Sequence, residues 1–433
     1  MITAYDMTMA AAQAPQARLA PTALAVPMRE RLLLVVLFVT VLASSVAFIE
    51  PSPHDALMGV LALACLIAGV RIERPLVIPL LLLLVWNVAG MMSLLNVSGD
   101  EKNIQYTATS VYLAVAALLF ASLFAQNTMP RLAAMRAAYV LTAAVISLLG
   151  IAGYFQLFPG AGDLFAPSGR ALGGFKDPNV FGPFLIWPAL IVLERMVARH
   201  TRITDIVIIG ILAFGLLLSF SRGAWFHFGV SCAIMLALTF LTAPTERARL
   251  RIFALSAIGI AALAAFVAVL LSFESISTMF QERAQLIQYY DVGQGGRFLL
   301  QELALGAVLN FPNGMGPFEF AKVYGLQQHN QYLQAFVVYG WAGGMAYILL
   351  LLSTIWVACR TVMVRTPWQP YLIVAFATFV GEVLEGFVID SDHWRHFFLL
   401  LGMIWGLAAA TLRETQRGQS LQLNGRAWHV GAA

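Results

Sequence analysis

Residues 272–331 read SFESISTMFQERAQLIQYYDVGQGGRFLLQELALGAVLNFPNGMGPFEFAKVYGLQQHNQ. This is the only long, largely polar stretch in a chain otherwise made of successive apolar runs. It carries Glu274, Glu282, Arg283, Asp291, Arg297, Glu302, Glu319, Lys322 and His329, and it closes on Gln327-Gln328-His329-Asn330 directly before another apolar run. Around it, 60% of the 433 residues are hydrophobic and only 11% are charged. Soluble domains average about 25% charged residues, so this is an integral membrane protein, expected to be all-α. A chain that spends most of its residues on lipid and keeps one charged insert is expected to do its chemistry beside that insert.

The side of the membrane on which the insert lies follows from the basic residues. Apolar runs of about the length that crosses a ~30 Å hydrocarbon core fall at 32–49, 55–70, 76–95, 108–125, 137–158, 180–196, 203–220, 223–242, 252–271, 331–358, 370–388 and 396–412. That gives about 12 transmembrane helices. Residues 1–28 are rich in Ala, Pro and Met without periodicity and lack the basic start of a signal peptide; they read as a disordered cytoplasmic tail. With the N-terminus inside, 18 of the 26 Lys and Arg residues fall in cytoplasmic segments, as the positive-inside rule requires. Residues 29–412 are then the transmembrane catalytic domain, 272–331 its long extracytoplasmic loop, and 413–433 a cytoplasmic tail. The eight outer basic residues are Lys102, Arg170, Lys176, Arg222, Arg283, Arg297, Lys322 and Arg395. The topological bias selects against each of them, so each needs a local reason. Lys102, beside Asp100 and Glu101, reads as an ordinary solvated charge.

Several classes are excluded at once. Cys65, Cys232 and Cys359 sit in or at the edge of apolar runs without CxxC or His/Cys spacing, so neither a disulfide framework nor a zinc site is indicated. No Asp-x-Asp cluster suggests a cation site. The net charge of +4 follows topology and is not a nucleic-acid signal. What remains is a set of outer-face motifs. Gly295-Gly296-Arg297 precedes apolar positions Leu299, Leu300, Leu303 and Ala307, a spacing that predicts an amphipathic helix at the membrane surface. Arg297 then falls in the first turn, where the helix dipole disfavours a cation unless an anion is bound; a snorkelling interfacial Arg is the other reading. Pro312-Asn313-Gly314-Met315-Gly316-Pro317 is a tight turn. His329-Asn330 lies at the lip of the next span, the depth at which an imidazole base meets a headgroup. Ser221-Arg222-Gly223-Ala224 puts a guanidinium fork at the outer end of two linked helices, partnered either by Glu382 or Glu385 or by a substrate phosphate. Gly173-Gly174-Phe175-Lys176-Asp177-Pro178-Asn179 and the group Asp390, Asp392, His393, Arg395 and His396 read as rims of one outer cavity, or as solvated loop ends.

Taken in order, Phe-Lys-Asp-Pro-Asn before a span, Ser-Arg-Gly-Ala at a helix junction, an Arg opening a surface helix followed by a Pro/Gly turn, and His-Asn before a Gly-containing span resemble the bacterial O-antigen ligase and polymerase superfamily. The resemblance covers roughly Gly150 to Leu412. It implies a GT-C-like polytopic enzyme of the bacterial inner membrane with its site facing the periplasm. The donor would be an undecaprenyl-diphosphate-linked glycan and the acceptor lipid A-core or another glycan. No cofactor, metal or nucleic acid is implied. His329 matches the family's outer-loop general base, and Arg222 and Arg297 match the two Arg residues that engage the donor's diphosphate. Asp390 or Asp392 falls where the family has an acid in its last outer loop. Lys176, Asn179, Arg283, Asn330 and Arg395 complete the expected substrate-binding set. The chain departs from the pattern at Gln301, where the family often has Trp, which bears on the register of the surface helix. The single outer block of moderate length favours ligation over repeat-unit polymerisation. A transporter or flippase would be expected to show midplane charges and repeated halves, and the sequence shows neither.

Overall fold

Each of the twelve apolar runs coincides with a helix, and no strand occurs among the described residues, 27–49, 51–97, 100–285 and 296–430, of this computed structural model. In chain order the helices are α1 (Met28–Leu42), α2 (Pro53–Ala68), α3 (Val77–Ser93), α4 (Glu101–Ala125), α5 (Thr128–Tyr154), α6 (Ala161–Phe165), α7 (Pro178–Phe184), α8 (Ile186–Ala198), α9 (Ile203–Leu218), α10 (Arg222–Thr242), α11 (Glu246–Leu270), α12 (Glu274–Ala284), α13 (Arg297–Asn310), α14 (Glu319–Tyr324), α15 (Gln331–Thr361), α16 (Gln369–Glu385) and α17 (Arg395–Val430). Eight helical segments are long and apolar enough to cross a membrane, α7 and α8 counting as one. The other four expected spans, α1, α2, α9 and α16, are helices of 15, 16, 16 and 17 residues. The expected N-terminal tail lies, but for its last two residues, outside the described residues, as does Asp291. The expected C-terminal tail begins as a continuation of α17.

Helix starts sit where the sequence supplies a side chain for the free N–H groups. Asp177 accepts from the backbone of Asn179 to open α7, Ser221 from Ala224 to open α10, and Asn330 from Tyr332 and Leu333 to open α15. Inside lipid, helices pair by close backbone approach rather than by apolar burial alone. In α17, Gly402 and Gly406 lie so near α4 that an added Cβ would stand 2.3 Å from the Ala117 carbonyl and 2.5 Å from that of Ala121. The apolar window of α17 is accordingly 89% buried, whereas that of α11 is 6% buried.

One span is broken. Gly340 in α15 has φ 67° and ψ −171°, a conformation only glycine adopts readily. The Pro/Gly turn of the outer loop fills the break: Met315 N–H donates to the Val337 carbonyl at 2.7 Å and Trp341 N–H to that of Pro312 at 2.8 Å. The turn thus reaches nine residues into α15, about 13 Å at 1.5 Å per residue, and satisfies the backbone groups that the break frees. Irregular backbone at such depth requires this kind of protein cover. The surface helix α13 differs from expectation in its inner face. Leu300, Ala304 and Ala307 are buried and pack with Met315, Phe320 and Val337, while Leu299 is 39% exposed. The face turned inward is set by α15 and the Pro/Gly turn as much as by lipid.

Candidate active site

The outer end of α16 is the point to which the candidate residues converge. Its last residues, Glu382 and Glu385, are fully buried, and the chain continues through Gly386 and Phe387. Gly223, next to Arg222, leaves no room for a side chain because a Cβ there would stand 2.6 Å from Glu385 Oε1. Gln331, two residues after His329, donates its N–H to the Gly386 carbonyl at 2.9 Å. Asn330 Nδ2 and Gln301 Nε2, the latter in α13 behind Arg297, both donate to the Phe387 carbonyl, at 3.1 and 3.4 Å. The side chain of Gln331 also accepts from Ser391 Oγ, so the turn holding His329 is tied to the loop holding Asp390. Residues up to 170 positions apart are gathered by backbone carbonyls and by glycines that admit them.

Within this arrangement His329 takes a left-handed backbone, φ 48°, which is uncommon for a non-glycine residue and concentrates at functional sites. Its Nδ1 lies 3.7 Å from Asp390 Oδ2, an ion-pair separation and too long for a hydrogen bond. Burial, and then the Arg297 guanidinium, hold the His329 pKa below its ordinary value, against the pull of Asp177. Burial, and then the charge of Asp392, push Asp390 up to about 7. Asp390 Oδ1 is buried without a hydrogen bond. Arg222 donates from Nη1 to the Gln285 carbonyl at 2.7 Å, joining its helix to the end of α12. Such a site offers an imidazole whose neutral form is favoured, an adjacent acid with its pKa raised to about 7, and nearby cations. Those are the parts needed to deprotonate a hydroxyl and to hold a departing anion.

Residues 207–348 match the family model described as O-Antigen ligase. Over this third of its length, the chain is similar to the O-antigen ligase family. The match runs from α9 into α15 and contains Arg222, Arg297 and His329. No curated protein matches the chain.

Around this matched segment the structure places the other expected residues. Of the two acids, Asp390 is the one beside His329. Asp392 is buried and engaged elsewhere: Tyr106 Oη donates to its Oδ2 at 2.7 Å, and His393 Nδ1 lies 3.1 Å away. Burial opposes its charge, but His393 and these bonds outweigh it and hold its carboxyl below the usual range. Asn330 is a helix cap whose amide also binds Phe387, and Asn179 Oδ1 accepts from Arg170 at 2.9 Å. Arg395 forms a two-pronged ion pair with Asp55, at 3.0 and 2.8 Å. All three side chains hold protein partners. Of the two acids considered as protein partners for Arg222, Glu385 is bonded to His227 at 2.9 Å and Glu382 lies 3.2 Å from His396 Nε2. Lys176 and Arg395 line a cavity of about 160 Å³ that also admits His54, Tyr112 and Asp177. Its link to the site is Asp177, whose charge acts on His329. Arg283 sits in the last turn of α12.

Sequence reasoning missed Gln331, Ser391, Gly386 and Arg170. A Gln inside an apolar helix and a Ser between two acids carry no pattern of their own. Arg170 did leave a signal, as a basic residue on the wrong side of the membrane.

Proposed function

We propose that this protein transfers a glycan from a polyprenyl-diphosphate carrier to a sugar hydroxyl at the extracytoplasmic face, with lipid A-core as the acceptor. The observation that carries the reading is the convergence of His329, Asp390 and the two Arg-bearing helix starts on the end of α16. In this mechanism Asp390, when ionised, keeps a proton on His329 Nδ1 and leaves the Nε2 lone pair free. The acceptor hydroxyl gives its proton to Nε2 as its oxygen bonds to the anomeric carbon. The bond from that carbon to the diphosphate oxygen breaks, and the electron pair leaves with the diphosphate. Arg222 and Arg297 stabilise the charge that grows there. Preorganised donors of this kind contribute roughly 3 kcal/mol each, and a general base about 10²–10⁴-fold. Two guanidinium groups supply the positive charge that a metal supplies in other phosphate chemistry. Transfer by purified protein is therefore expected to persist in excess EDTA; complete loss reversed by Mg²⁺ rejects the metal-free form.

Deletion followed by analysis of surface glycans tests the assignment. Loss of all capped lipopolysaccharide with accumulation of lipid-linked polymer is the result expected of a ligase. Capping by single repeat units assigns the same chemistry to a polymerase. Unchanged surface and lipid-linked glycans overturn both.

A further inference from the structure

We infer that Arg170 is a positioning residue for donor binding, holding in place the turn from which Arg222 projects. The inference rests on the reading of Arg222 as a diphosphate ligand. Three observations carry it. First, Arg170 is an outer-face cation that the topological bias disfavours, and it lies in none of the motifs that resemble a known family. Second, its guanidinium spans two elements: Nε donates to the Ser219 carbonyl at 2.8 Å and Nη2 to Asn179 Oδ1 at 2.9 Å. Its neighbour Ala171 donates its N–H to the Leu218 carbonyl at 2.8 Å. The loop thus satisfies the last carbonyls of α9, which the helix itself leaves unpaired, and fastens them to the second residue of α7.

Third, the turn so fastened is strained and leads directly to Arg222. Phe220 is buried and left-handed, with φ 47°. Its ring lies between Tyr154 and Trp225, at 5.9 and 6.3 Å. Ser221 then caps α10, and Arg222 is the first helical residue. Two residues therefore link the fastened carbonyls to Arg222 and set where its side chain starts. The α7 wall packs hard against the same turn, because a Cβ on Gly182 would stand 2.6 Å from Ala224 Cβ and 3.1 Å from Ser219 Oγ. Arg170 and Asn179 hold the turn to that wall. A strained turn released from its fastening relaxes, and a long side chain amplifies the shift at its tip.

An ordinary stabilising Arg would show similar contacts, so the test must separate the two. Full-length protein in lipid nanodiscs is titrated with undecaprenyl diphosphate as the probe, for wild type, Arg170→Ala, Arg170→Lys, Arg222→Ala and the Arg170→Ala/Arg222→Ala pair. Arg170→Ala is expected to weaken binding about tenfold, and Arg170→Lys nearly as much, since one ammonium cannot span both acceptors as the fork does. The double variant is expected to bind like Arg222→Ala alone, because a residue acting through Arg222 has nothing left to position. Equal weakening by Arg170→Ala in both backgrounds, or no weakening in wild type, overturns the positioning role and leaves the Arg222 reading intact. Undiminished binding by Arg222→Ala overturns both.

Discussion

The two ends of the bundle treat their buried charges differently. At the end expected to face the cytoplasm, several buried ion pairs are complete. Arg131 places Nε and Nη2 against the two carboxylate oxygens of Glu30, each at 2.9 Å, and Nη1 on the Leu123 carbonyl at 2.9 Å. Arg413 bonds Glu73 and the Ala125 carbonyl, and Arg195 bonds Asp205. At the outer end the accounts stay open. Among the described residues, every buried carboxylate oxygen without a hydrogen bond belongs to Glu382, Glu385 or Asp390. Backbone strain follows the same division. Among the described residues, the left-handed non-glycine residues Gln156, Phe220, Phe318 and His329 lie at the end expected to face outward, and Asn127 at the other. Unsatisfied buried polar groups cost about 1–3 kcal/mol each, and proteins keep such costs where function needs them. On the proposed function, the open carboxylates are kept at a cost in stability because they act on a substrate.

The largest effects should separate the ends cleanly. His329→Ala is expected to lower transfer by about 10²–10⁴-fold while the protein still accumulates in the membrane, because the half-exposed imidazole supports little packing. Retained transfer in cells would sink the base role. The inner end should respond in the opposite sense. Arg131→Ala leaves Glu30 buried without its partner, a change that costs about 3–5 kcal/mol. Abundance and thermal stability should fall, while turnover per folded molecule stays near wild type. A variant that is stable but inactive would show that the inner charges take part in catalysis. Arg222→Lys keeps the charge and loses the fork, so transfer should fall by about 10² with little change in abundance; near-normal transfer would make Arg222 a structural residue.

How much of this was legible in the sequence depends on the range of the interactions. Helix positions follow from local apolarity, and each apolar run coincides with a helix; the sorting of Lys and Arg supplies the expectation that the 272–331 loop lies outside. Arg297 at a helix start follows from Gly295-Gly296 before a periodic segment. The break in α15 does not. Gly340 reads as one tolerated glycine in an apolar run, and its φ of 67° is fixed only when the 312–316 turn arrives from elsewhere in the chain. The protein contacts of Asn330 and Asn179 were not legible, because a polar residue at a span's lip reads the same whether it faces a substrate, a helix terminus or another side chain. The different surroundings of Asp390 and Asp392 were not legible either, because the partner of Asp392 is Tyr106, nearly 290 positions away.

The smallest effect concerns the acid limb of the pH profile, and it tests whether the unsatisfied outer carboxylate is functional. Asp390 has its pKa raised to about 7 by burial and by Asp392, so it is protonated below that pH and ionised above it. Burial and Arg297 depress the His329 pKa, which favours its neutral form. Protonated Asp390 cannot accept from Nδ1–H and can instead donate to that nitrogen, which places the imidazole proton on Nε2, the wrong atom for a base. Ionised Asp390 restores the useful tautomer, given a closure of under 1 Å from the 3.7 Å seen here; catalytic hydrogen bonds commonly tighten when substrate binds. Transfer should therefore rise by about tenfold per pH unit below 7 and level off above it. Asp390→Asn should flatten that limb and lower the plateau by about tenfold. Asp392→Asn should leave the limb in place and shift it to lower pH, since it removes the like charge that raises Asp390. A profile unchanged in Asp390→Asn would assign the open carboxylate to packing and erase the contrast between the two ends at this residue.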